Sequence, residues 1–98
     1  MAINRSHVLR MLTEHKIELM HRFGVTDLAL FGSTARDAAG EGSDVDVLVA
    51  FDGPATSERY FGVQFYLEDL LDCPVDLVTD KALRSELRPY VEREAVHV

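Results

Sequence analysis

The sequence predicts an α/β sandwich in which a small sheet is packed by helices, and three observations predict it. Apolar runs of strand length fall at 27–31, 45–51 and 74–78. Two longer stretches, 6–22 and 57–71, carry apolar residues at helical spacing and alternate with those runs. The chain has 98 residues, which is the size of one small domain, so a single unit over 1–98 is the economical solution.

Each element has its own local cause. Ser6 is the expected N-cap of the first helix, Val8, Leu12, His15, Leu19 and Phe23 recur along it, and Gly24 stops it. Asp27 leads into Leu28-Ala29-Leu30-Phe31, a strand cut by Gly32. Ser33 heads a brief helical turn over 34–38, and 37–43 is a loop of small residues. Val45, Val47 and Val49 alternate with Asp44, Asp46 and Leu48, giving a second strand that ends at Phe51. Asp52-Gly53-Pro54 turns the chain. Thr56 or Ser57 opens a helix to about Leu71, with Glu58 at its positive end. Pro74 to Val78 is a third strand. Leu83 to Leu87 begins another helix, which Pro89 is expected to break, and Val96-His97-Val98 is a last short strand.

Charge excludes several functions. Ten Lys and Arg stand against 17 Asp and Glu, and residues 44–80 hold Arg59 alone against nine acids. There is no basic stripe, so direct nucleic-acid binding is not expected. An acidic chain still handles a polyanionic nucleotide when Mg²⁺ bridges the two. The single cysteine, Cys73, excludes an internal disulfide and reads as a small buried hydrophobe. Charged residues interrupt the first 25 positions and no apolar run reaches membrane-spanning length, so a cytoplasmic location is expected. His7, His15, His21 and His97 lack zinc-ligand spacing and read as solvated or core histidines.

The chemistry concentrates in one segment. Asp44 and Asp46, two apart on a strand, share a face with Cα atoms roughly 6–7 Å apart. Paired carboxylates of this kind hold the ions of two-metal phosphoryl-transfer sites; the plain alternative is a solvated acidic strand edge. Gly32, directly after a strand, permits close backbone approach, and N–H groups at the helical turn favour a phosphate. Ser33 adds a hydroxyl and Arg36 a guanidinium one turn on. An ordinary turn and a surface arginine are the alternatives. Asp76 lies mid-strand, where a carboxylate completes a metal shell, takes a proton from an attacking hydroxyl, or simply faces water at a sheet edge.

Gly32-Ser33-Thr34-Ala35-Arg36 followed by Ser43-Asp44-Val45-Asp46-Val47-Leu48-Val49 resembles the G-S-x10-D-x-D signature of minimal nucleotidyltransferases, in the DNA polymerase β-like superfamily. Ten residues separate Ser33 from Asp44, so the spacing fits without a gap. The later strand with Asp76 and the Leu-Arg-Pro-Tyr tail extend the likeness over most of the chain; Asp37 departs from it, where many relatives have glycine. The resemblance implies a two-layer nucleotidyltransferase fold with a small mixed sheet packed by helices. It implies Mg²⁺, two ions, on Asp44, Asp46 and Asp76 as catalytic carboxylates, with ATP as donor and its triphosphate on Gly32 and Ser33. It also implies a HEPN-domain toxin as partner, since many such short proteins are antitoxins that transfer AMP to a tyrosine of that toxin. A binding module that neutralises its partner by contact alone is the alternative. A small-molecule nucleotidyltransferase is disfavoured because 98 residues leave no room for an acceptor-binding region.

The second long helix carries two apolar stripes. Tyr60, Val63, Leu67 and Leu71 form one, and Phe61 with Phe65 another. A second stripe implies either contact with another chain, in a homodimer or hetero-oligomer, or an unusually wide buried face.

Overall fold

The structure is a computed structural model and describes residues 4–32 and 44–98. Helix α1 spans Arg5–Phe23. Its N-cap is Asn4 rather than Ser6: the Asn4 side chain accepts from the His7 N–H at 2.8 Å, which leaves Ser6 inside the first turn. Gly24 closes the helix in the left-handed region, φ 73°, and its N–H donates to the Met20 carbonyl. The brief helix expected over 34–38 lies outside the described residues.

Strand β1, Val25–Phe31, begins two residues earlier than its apolar run suggested. Val25 pairs with Phe51, then the register shifts before Asp27, so a polar interruption hides the start of the strand. Strand β2 is Val45–Phe51, as the alternation predicts. Helix α2, Ser57–Leu71, is capped by Thr56, whose hydroxyl accepts from the Arg59 N–H, and ends at Asp72 with φ 54°. Strand β3 is Val75–Thr79, followed by a 3-10 turn, Asp80–Ala82.

The helix expected from Leu83 and broken at Pro89 is corrected. Helix α3 runs Arg88–Glu94, with Pro89 in its first turn. Proline there gives up an N–H that has no helical partner anyway, and its fixed φ suits the start of a helix. Arg88 ties α3 back to the chain by donating to the Asp80 carboxylate at 2.9 Å and to its carbonyl at 2.8 Å. Strand β4, Val96–His97, ends the fold.

The four strands lie in the order β3-β2-β1-β4. β1 is antiparallel to β2 and β4, while β2 and β3 are parallel, so the sheet is mixed and α2 is the crossover that parallel pairing requires. Val25, Leu28, Leu30, Val45, Val47, Val49, Val75 and Leu77 meet Val8, Leu12 and Leu19 of α1 and Val63 and Leu67 of α2 in one core. Both helices therefore cover the same sheet face. Burying each such side chain contributes about 1.5–3 kcal/mol before entropy is counted.

Strand β3 is an edge, yet three of its outward backbone groups are engaged by side chains of α2. Glu68 accepts from the Val75 N–H at 3.0 Å, Gln64 donates to the Val75 carbonyl at 3.2 Å, and Tyr60 donates to the Leu77 carbonyl at 2.6 Å. The three side chains recur every fourth residue of α2 and so form one row along the helix.

Helices α1 and α2 also share a polar contact. Tyr66 donates to the Glu18 carboxylate, and His15 Nδ1 lies 2.7 Å from the same hydroxyl. Burial, then the Glu18 hydrogen bond and charge, push the Tyr66 phenol from 10 up to about 12. The Tyr66 hydrogen bond, reinforced by Arg22 and His15, holds the Glu18 carboxyl below its usual range. A phenol raised in the folded state contributes stability that is whole below pH 10 and is lost as pH rises towards about 12. The lowered Glu18 acts oppositely: its contribution is present above the ordinary carboxylate pKa and fades as pH falls through the depressed value. A tyrosinate absorbance titration of the native chain should show a phenol ionising near pH 12. That step should vanish in Tyr66→Phe, together with a lower melting temperature at neutral pH. Its persistence in the variant would contradict the assignment.

Candidate active site

Strand β1 delivers the chain into Gly32, whose φ is 74°. Strand β2 starts one residue after Asp44. Val45, Val47 and Val49 are fully buried against the helices, so the alternation of a strand sends Asp44 and Asp46 to the other face. Val75 and Leu77 are buried likewise, which puts Asp76 on that same open face. The parallel register sets Asp46 directly beside Asp76, and the antiparallel register sets Phe31 beside Asp46 on its other flank. Asp44 and Asp76 are exposed and Asp46 is half-buried.

Gly32 and Asp46 fit against each other. A Cβ on residue 32 would lie 2.9 Å from Asp46 Cγ and closer still to Oδ2. The carboxylate thus occupies the space that any other residue's side chain would need. Glycine is required on two counts, the positive φ and this close approach.

The electrostatics of the region are strongly negative. The Cys73 thiol is pushed up first by burial and then by Asp72, Glu68 and Asp44, so the field of Asp44 reaches across to the turn before β3. Adjacent carboxylates on one face are unfavourable unless a cation or donors compensate. By their chemistry, oxygen donors of this kind suit a hard divalent ion. Among the described residues, however, no group of three or more His, Cys, Asp or Glu side chains is drawn together closely enough to hold a metal. The register aligns Asp46 with Asp76 and puts Asp44 on their face, without gathering the three carboxylates.

Ser33 and Arg36 lie outside the described residues. Phe31 is the neighbour the sequence reading did not single out; its place directly before Gly32 was the available signal. The depression lined by Val49, Phe51, Thr79 and Lys81 sits at the far ends of β2 and β3 and does not belong to this site. Of the histidines, His15 meets Tyr66 and His97 meets Asp27 at 3.1 Å. No helix among the described residues is long and apolar enough to cross a membrane.

Known proteins share this architecture. The family profile described as nucleotidyltransferase domain matches residues 12–97. The protein adenylyltransferase MntA of Thermococcus cleftensis is 45% identical over 87 residues, covering 89% of this chain and 88% of the relative. A solved structure described as a minimal nucleotidyltransferase superposes with a TM-score of 0.81 at 37% identity, over 96% of this chain and 95% of that one. The fold also occurs in a Shewanella oneidensis complex of a tri-AMPylated HEPN toxin with its MNT antitoxin, with a TM-score of 0.65 at 20% identity over 92% and 70% of the two chains.

Proposed function

Because this chain belongs to the nucleotidyltransferase-domain family, we propose that it is the antitoxin of a HEPN/MNT pair, acts in the cytoplasm, and transfers AMP from ATP to a tyrosine of its HEPN toxin. The observation that carries the reading is the register of β2 with β3, which sets Asp46 beside Asp76 while Gly32 closes on Asp46.

In the transfer, the acceptor's phenolic oxygen bonds to the α-phosphorus as the bond to the β-phosphate oxygen breaks, and pyrophosphate leaves. Asp44, Asp46 and Asp76 would hold Mg²⁺, two ions, which when bound neutralises phosphate charge and activates the acceptor oxygen. Gly32 lets the backbone approach the triphosphate, with N–H groups and the Ser33 hydroxyl donating to its oxygens and Arg36 adding a positive charge. The phenolic proton goes to a carboxylate, for which Asp76, exposed on the outer strand, is the candidate. Placement supplies most of the remaining effect.

The test incubates the pure chain with its HEPN protein, Mg²⁺ and α-labelled ATP. Label on a toxin tyrosine, lost with a chelator, is the expected result. No label with any nucleotide would overturn the reading. An Asp44→Asn/Asp46→Asn variant that still neutralises a bound toxin would assign the protection to contact alone.

A further inference from the structure

Helix α2 buries Val63 and Leu67 completely yet turns two phenylalanines outward: Phe61 is 48% exposed and Phe65 64%. Among the described residues, the stripe is therefore not a buried face. The two rings stack one turn apart, with centroids 6.2 Å apart and planes 25° apart, and Tyr60 meets Phe61 edge-on at 5.2 Å. Tyr60 is itself fixed by its bond to the Leu77 carbonyl. The aromatic surface is thus held in place before anything binds, which lowers the ordering cost of an interface. Clustered exposed aromatics are the usual anchors of protein contacts.

The surrounding charge says what covers them. Glu58 lies one turn before Phe61 and Asp69 one turn after Phe65, with Asp72 further along the same side; all three are exposed. Arg59 is the only basic residue between 57 and 72, and it is engaged with Asp52 at 2.8 Å. A second copy of this chain on the same face would bring one acidic rim against another, between two chains of net charge −7. The complementary occupant is a different protein, with an apolar socket rimmed by Lys and Arg.

We propose that the Phe61–Phe65 face of α2, rimmed by Glu58, Asp69 and Asp72, is the surface on which the HEPN protein docks through a basic-rimmed apolar socket. The identity of that partner rests on the proposed function; the chemistry of the surface does not. Helix α2 covers the sheet face opposite to Asp46 and Asp76, so a partner held here leaves the nucleotide side open, and its acceptor tyrosine has to reach the acids from beyond the docked surface.

The test co-expresses the chain with its proposed HEPN-domain partner and measures their affinity, salt dependence and backbone hydrogen exchange. Wild-type complex should protect the amides of α2. Phe61→Ser/Phe65→Ser should weaken it about a hundredfold while Mg²⁺–ATP binding stays unchanged, which shows the variant to be folded. Glu58→Lys/Asp69→Lys should weaken it at low salt, with the difference shrinking at high salt. Undiminished affinity in the phenylalanine variant, protection confined to other elements, or no complex with the wild-type chain would each overturn the proposal. Self-association of the chain alone, abolished by the same variant, would overturn it in favour of a homodimer. A complex that forms through α2 without any label transfer would instead sink the catalytic reading and leave this surface standing.

Discussion

Replacing Asp46 by Asn is expected to lower AMP transfer by about a hundredfold or more, beyond what loss of a group that merely orients a metal ligand costs. Asparagine keeps the shape of the side chain, so the fit against Gly32 survives. It removes the charge on the one acid that adjoins both the glycine turn and the neighbouring Asp76. Without Mg²⁺ the variant should remain folded, so that a loss of transfer reports on chemistry rather than on the fold. With Mg²⁺ and ATP the wild type should gain melting temperature and the variant should gain much less. Label transfer and paired melts check both halves. Activity within about tenfold of wild type would remove Asp46 from the catalytic set.

Gly32→Ala is expected to be nearly as damaging, by a different route. Alanine at a φ of 74° costs about 1–2 kcal/mol from backbone strain alone. Its methyl group would also land on the Asp46 carboxylate, which must swing away. Stability should fall modestly while transfer falls by an order of magnitude or more, because a displaced reacting group costs far more rate than fold. The two substitutions should not add in activity: in the Asp46→Asn background, Gly32→Ala displaces a side chain that has already lost its charge. Circular dichroism with a transfer assay on all four chains would show this. Full additivity would mean that Gly32 acts on something other than Asp46.

How much of this was legible in the sequence depended on the range of the interaction. β2 and α2 were read with sound boundaries because their signals are local: a two-residue alternation of Asp and Val, and Thr56 as a cap. The start of α1 was misplaced because Asn4 and Ser6 are both good caps, and the choice falls to Asn4, three residues before the His7 N–H. Val25 was missed because its strand identity comes from pairing with Phe51 across a bulge. Pro89 misled because proline breaks a helix interior but suits its first turn, and which applies depends on how Arg88 is held by Asp80. At the candidate site, the shared face of Asp44 and Asp46 followed from strand period alone. The alignment of Asp76 with Asp46 is a register, fixed by the α2 crossover, and the contact of Gly32 with Asp46 spans two strands. Whether Phe61 and Phe65 are covered turns on whether another layer packs on α2, which helical spacing does not encode.

The row of Tyr60, Gln64 and Glu68 takes up three of the β3 backbone groups that a foreign strand would pair with on that side. The opposite rim is only the two residues of β4, too short to nucleate a ladder. Among the described residues, strand-to-strand annealing of crowded copies is thereby disfavoured at both rims, and a guest is better recognised by its side chains than by its backbone. The same row joins the outer helix to the backbone on both sides of Asp76, so gripping that helix also steadies an acid on the far side of the molecule.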